Sequence, residues 1–182
     1  MSAQPRTATL DTALVVRAGT CAALLGAAVV HLTVVADHYE AWPPAGLFFV
    51  ALLLLEGLLA AGVAVAWGRG IAALVLASSL GTLAVWALSR TFGLPVGPQA
   101  FQAREPVGVP DLACVVLEVA AAVLVTPWVV SSRRPGNVAA STGSSRLAAV
   151  AAVLVAVTVT GWGVAPAMSG EEHPSHAHES AT

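Results

Sequence analysis

HLTVVADHYEAWPPAGLFFVALLLLE, residues 31–56, decides the architecture. One apolar run ends inside it, a short acidic and proline-bearing turn follows, and a second apolar run begins. The same stretch holds both histidines outside the C-terminal tail, His31 and His38, and places Glu56 between LLLL and GLLAAG. A carboxyl in such a setting persists inside a membrane only when something compensates it, so this is where chemistry is sought.

Working outward, the composition agrees with a membrane protein. The chain of 182 residues is 57% hydrophobic and 10% charged, with a mean hydropathy of +0.82, far from the balance of a soluble domain. Five apolar runs, at about 12–36, 45–67, 71–92, 111–130 and 147–168, each approach the roughly 20 residues of helix that cross a hydrocarbon core. The reading is an all-α polytopic membrane protein: a four-helix transmembrane bundle, 12–130, with an appended fifth transmembrane helix. Residues 1–11 form a short N-terminal segment, 93–110 an external loop, 131–146 a Gly/Ser/Arg-rich linker and 169–182 a His-rich tail. A cleaved signal peptide is disfavoured, because Arg17 interrupts the first run and no A-x-A-like site follows a short core. The few residues around Gly68, Arg69 and Gly70 make the second and third helices expected neighbours.

The arginines set the expected orientation. An N-terminus on the cytoplasmic side puts Arg6, Arg17, Arg69, Arg133, Arg134 and Arg146 on or near that side and leaves Arg90 and Arg104 outside. The expected location is the cell membrane, multi-pass, with an external C-terminus. Trp42, Trp67, Trp86, Trp128 and Trp162 fall near expected helix ends, where indole favours the interface. Charge is nearly balanced, with 8 basic and 10 acidic residues and no basic cluster interleaved with aromatics, so nucleic acid is not an expected partner. The partners expected are the bilayer itself and either a second copy or a membrane subunit. Cys21 and Cys114 are expected near opposite faces, too far apart for an intrachain disulfide.

The helical rise of about 1.5 Å per residue gives depths: His31 and Glu118 lie about 10 Å, and Glu56 about 16 Å, below the external surface. His31 and His38 share a face of the first helix, as Asp111 and Glu118 do on the fourth. Imidazole and carboxyl at common depth suit a proton relay or a divalent transition metal such as Zn, Cu or Ni, with His31, Glu56 and Glu118 as ligands. Arg90, at the outer end of the third helix, is placed to pair with Asp111, Glu118 or Glu105, and with His38 forms a gate or charge-pairing set. The plainer alternatives are a carboxyl that is protonated or paired with Arg90 and only holds helices in register, and Glu56 facing a partner subunit.

The loop RTFGLPVGPQAFQAREPVGVPD, residues 90–111, carries Pro95, Pro98, Pro106 and Pro110 and is expected to fold back over the external mouth, or else to serve as a rigid connector. In the tail, His173, His176 and His178 beside Glu171, Glu172 and Glu179 form a second candidate metal-binding set, against the alternative of a solvated segment. A b-type haem needs ligands from facing helices, and both intramembrane histidines are on one helix, so haem is disfavoured unless subunits share it. No H-E-x-x-H, nucleophile triad or phosphate loop is present, and an enzyme is not the expected reading.

HLTVVADHYEAWPPAGLFF on the first hairpin, SRTFGLPVGP, and EPVGVPDLACVVLE on the fourth helix together resemble a group of small polytopic membrane proteins of high-GC bacteria. The resemblance spans roughly residues 18–130. It implies that the four-helix unit is a family core to which the fifth helix and tail are added, and it supplies no substrate or catalytic residue. Two functions are therefore expected to compete: an ion-site protein handling a proton or divalent metal, and a structural or assembly subunit packing small-residue faces against partner helices.

Overall fold

The computed structural model describes residues 7–130 and 144–169, with side chains for 13–130 and 153–168. The described residues form helices and connections only: α1 (Thr7–Ala41), α2 (Pro43–Val65), α3 (Arg69–Thr91), the short α4 (Gln99–Gln102), α5 (Val109–Val130) and α6 (Ser144–Ser169). Four of them, α1, α2, α3 and α5, are long and apolar enough to cross a membrane, and the described apolar part of α6 is the shorter segment Val153–Met168. Large apolar side chains such as Leu54, Leu58, Leu74 and Val123 are exposed on the bundle surface. In water these would be a liability; against lipid they are the solvent-matched face. The chain is an integral membrane protein with a multi-pass helical bundle.

The expected proline-bearing turn between the first two helices contracts to one residue. α1 continues past His38 to Ala41, Trp42 takes extended backbone (φ −162°, ψ 107°), and α2 starts at Pro43. Both features follow from Pro43: a proline excludes the helical region for the residue before it and suits the first helical position, where no N–H is needed. Such a turn brings the two helices very close. A side-chain carbon on Gly46 would collide with the backbone of Tyr39.

α1 and α5 form the spine. α2 packs along α1, α3 along α5, and α6 lies against both spine helices on another side. Thr160 of α6 sits at Gly26 of α1, and Gly163 sits at Val30 and Ala113, where a side-chain carbon would come within 2.6 Å of the Ala113 methyl. These pairings run α6 in the same direction as α1, so the five long helices alternate. α6 shares a core with Ala27, Val30, Ala113 and Leu117 through Ala156, and is thus packed into the bundle. The two ends of the bundle are called here the hairpin end, where α2 turns into α3, and the loop end, where α1 turns into α2.

α2 and α3 are neighbours in sequence but touch mainly near their connection, where Ile71 packs over Gly62. Toward the loop end they part, each following its own spine helix. Around their junction the core is apolar and closed: Leu24, Val63, Val75, Ala121 and Val125 are fully buried. Arg17 and Arg69, both at the hairpin end, turn their guanidiniums to helix-end carbonyls. Arg17 donates to Val63 and Ala64 at the end of α2, and Arg69 donates to Val129 at the end of α5 at 2.9 Å. The last carbonyls of a helix have no partner within it and carry partial negative charge, so each arginine is compensated there. Trp67 and Trp128 close this end edge to face, 5.5 Å between ring centres.

Candidate functional site

The site is built where α2 and α3 diverge. On α1, a helix unbroken from Thr7 to Ala41 places His31 and His38 on one face two turns apart, and both rings lie against Phe49 of α2, at 5.6 and 4.4 Å between centres. His31 is 3% exposed and its Nδ1 is hydrogen-bonded with Glu56 Oε2 at 3.1 Å, with Oε1 at 3.0 Å. Glu56 is fully buried and Glu118 is 1% exposed. From α5, the Glu118 carboxyl faces Glu56, His31 and Ser79 of α3, yet neither of its oxygens makes a well-formed hydrogen bond. One imidazole and two carboxyls from three helices therefore meet in the interior. Among the described residues, no three His, Cys, Asp or Glu side chains are arranged to hold a metal ion.

Above this trio lies a cavity of about 340 Å³. Its base is His31, Cys114 and Glu118, its walls include Phe48, Phe49 and Leu52 of α2 with Thr82, Leu83 and Trp86 of α3, and its mouth carries Arg90, Glu105 and Asp111. Arg90 donates to Glu105 and to Asp111, the latter at 2.6 Å, and not to Glu118. Asp111 in turn accepts from the Gly108 N–H at 2.7 Å, which ties the start of α5 to the loop before it. The sequence left three partners open for Arg90; its position at the very end of α3 selects the two carboxyls at the same level. Among the described residues, no fixed cation pairs with the trio below.

No family model, curated protein or solved structure matches this chain.

The loop between α3 and α5 is seated on the α1–α2 turn. Gly93 and Gly97 adopt left-handed backbone (φ 82° and 92°), which reverses the chain so that the Leu94 N–H donates to the Phe101 carbonyl at 2.8 Å. Phe101 is buried against Trp42 and His38, with ring centres 5.5 and 6.4 Å away. The loop thereby roofs the cavity with Leu94, Val96 and Phe101.

Sequence reasoning missed the contribution of α3. Ser79, Thr82, Trp86 and Ser89 recur at helical spacing; the Ser79 hydroxyl is next to Glu118, and the Ser79 and Thr82 hydroxyls and the Trp86 indole N–H are buried with no well-formed hydrogen bond among the described residues. The signal was present in ASSLGTLAVWALS, residues 77–89, as a polar stripe on an otherwise apolar span. Trp86, expected to anchor the interface, instead lines the cavity. Both cysteines are free thiols; Cys21 donates toward the Ala60 carbonyl at 3.3 Å, and Cys114 borders the cavity. The tail set His173, His176 and His178, like residues 131–143 of the linker, lies outside the described residues.

Proposed function

We propose that His31, Glu56 and Glu118 form an intramembrane proton-binding site that charges and discharges the cavity above it. The observation that carries this reading is the buried trio itself, with the only fixed cation near it among the described residues, Arg90, committed to Glu105 and Asp111. With both carboxyls ionised and the imidazole neutral, the trio holds two uncompensated negative charges in a low-dielectric interior, an arrangement that costs several kcal/mol per ion, on the order of the usual burial penalty. Two protons restore neutrality, one shared between His31 and Glu56 and one on Glu118. Ser79 of α3 and Cys114 of α5 stand next to the trio, and His38, Arg90, Glu105 and Asp111 line the cavity above it, so access of protons runs from the mouth past Arg90.

A proton fits this geometry better than a divalent metal, because the donor atoms of the three side chains do not converge on one point. The distribution of arginines supports a cell-membrane protein with the hairpin end cytoplasmic, the loop end external and α6 as a fifth crossing. On the first-hairpin and fourth-helix motifs alone, we also propose residues 18–130 as the core of the family they resemble.

Infrared difference spectra of the full protein in lipid bilayers, taken between about pH 5 and about pH 9, test the reading. Protonated-carboxyl bands that appear and vanish across that range, one missing in Glu56→Gln and another in Glu118→Gln, are expected. Spectra in which neither substitution removes a titrating band would leave the trio a purely structural contact.

A further inference from the structure

The cavity above the trio has a chemistry of its own. We infer that it binds a lipophilic organic monocation, a protonated amine carrying an apolar or aromatic body, which enters from the bilayer between α2 and α3 and replaces the proton on Glu118. The inference rests on the proton-site reading and names the ligand class of the same site.

Four observations select this class. First, three carboxyls line the cavity, Glu105, Asp111 and Glu118, against one guanidinium that two of them already engage, so the potential inside favours cations and repels anions. Second, Glu118 is 1% exposed, borders the cavity, and has neither oxygen in a well-formed hydrogen bond, its near polar neighbours being Ser79 and Glu56. A neutral lipophile would leave those acceptors unmatched, whereas an ammonium N–H satisfies one of them and supplies the missing charge. Third, the walls are Phe48, Phe49, Leu52, Leu83, Trp86 and Phe101. Such walls cannot replace the water of a small inorganic cation, but they bury an apolar body and present aromatic faces to an ammonium group. Fourth, α2 and α3 part toward the loop end, and Phe48 and Val85, one on each helix, line the cavity while remaining about 39% exposed on the bundle surface. The cavity therefore reaches the side wall of the bundle, where a lipid-dissolved amine arrives directly.

The cavity size fits as well, since about 340 Å³ lies at the lower end of the range for small-molecule sites. Charge balance sets the coupling: one ammonium replaces one proton, so the occupied trio has the same net charge as the empty, protonated one.

The test uses the full protein in nanodiscs of phosphatidylcholine, with empty nanodiscs subtracted, and N,N-dimethyl-1-naphthylmethylamine as the fluorescent probe. Saturable binding of one amine per chain is expected, weakened about tenfold per unit of acidification while a proton is being displaced. The uncharged isobutylnaphthalene, of similar shape, is expected to bind at least tenfold more weakly, a comparison that needs no variant to fold. Glu118→Gln should lose at least tenfold in affinity and Phe49→Ala several-fold. Absence of saturation, equal binding of the uncharged analogue, or an unchanged affinity in Glu118→Gln would each overturn the inference. The two readings fail separately: titrating carboxyl bands without saturable amine binding remove the ligand and keep the proton site. Saturable but pH-independent binding with no titrating band removes the proton site and, with it, the exchange claimed here.

Discussion

The two halves of this bundle are made of similar residues and behave as opposites. At the hairpin end α1, α2, α3 and α5 close on Leu24, Val63, Val75 and Val125, and Arg17 and Arg69 cap helix ends there. At the loop end α2 and α3 stand apart, and His31, Glu56, Ser79 and Glu118 are buried beneath a cavity. Polar groups in a membrane bundle become usable where helices diverge. A carboxyl buried in the closed half would have mainly apolar neighbours, whereas in the open half it has partners, room and a route outward.

Moving a carboxyl from one half to the other puts that contrast at risk most directly. Val125→Glu introduces an unpartnered acid into the closed half and is expected to destabilise the bundle by about 3–5 kcal/mol, read by unfolding in mixed detergent micelles. Glu118→Gln in the open half, which keeps shape and removes only the ionisable group, should cost less than about 1.5 kcal/mol on the same assay. Equal losses in the two variants would mean that the halves do not differ in the way described.

A smaller effect separates the tight turn from the open helix that follows it. Gly46→Ala forces a methyl group into the Tyr39 backbone and is expected to cost about 1–3 kcal/mol. Gly57→Ala, on the same helix and with nothing within 4 Å of the added carbon, should instead raise stability by roughly 0.5–1 kcal/mol through the helix preference of alanine. Thermal unfolding of the pair in detergent sharpens the comparison, and a destabilised Gly57→Ala would show that α2 is more closely packed than its open face implies.

The smallest expected effect concerns the arginine caps. Arg17→Gln removes the guanidinium from the Val63 and Ala64 carbonyls and should lower stability by roughly 0.5–1 kcal/mol, the scale of a charge at a helix C-terminus. Hydrogen exchange at the end of α2 is the suitable readout. Unchanged protection at the residues that follow Gly62 would show that the carbonyls are satisfied without Arg17.

The membrane class, the long helices and their approximate limits follow from residues 12–168 alone, because length and hydropathy are properties of each segment by itself. The shared face of His31 and His38 was legible for the same reason, since helical periodicity is local. Even the common depth of His31, Glu56 and Glu118 could be counted from the helix ends. Contact between them could not, because depth leaves the rotation of each helix undetermined, and rotation is set by packing, here by Gly46 against Tyr39 and Gly163 against Ala113. The short α2–α3 connection likewise made the two helices expected neighbours, which they are near that connection, but it could not show that each packs more closely on its spine helix than on the other. Tertiary structure alone therefore decided that a cavity exists, that Thr82 and Trp86 line it with Ser79 next to Glu118 below, and that Arg90 pairs at its mouth and leaves the buried acids without a fixed cation among the described residues.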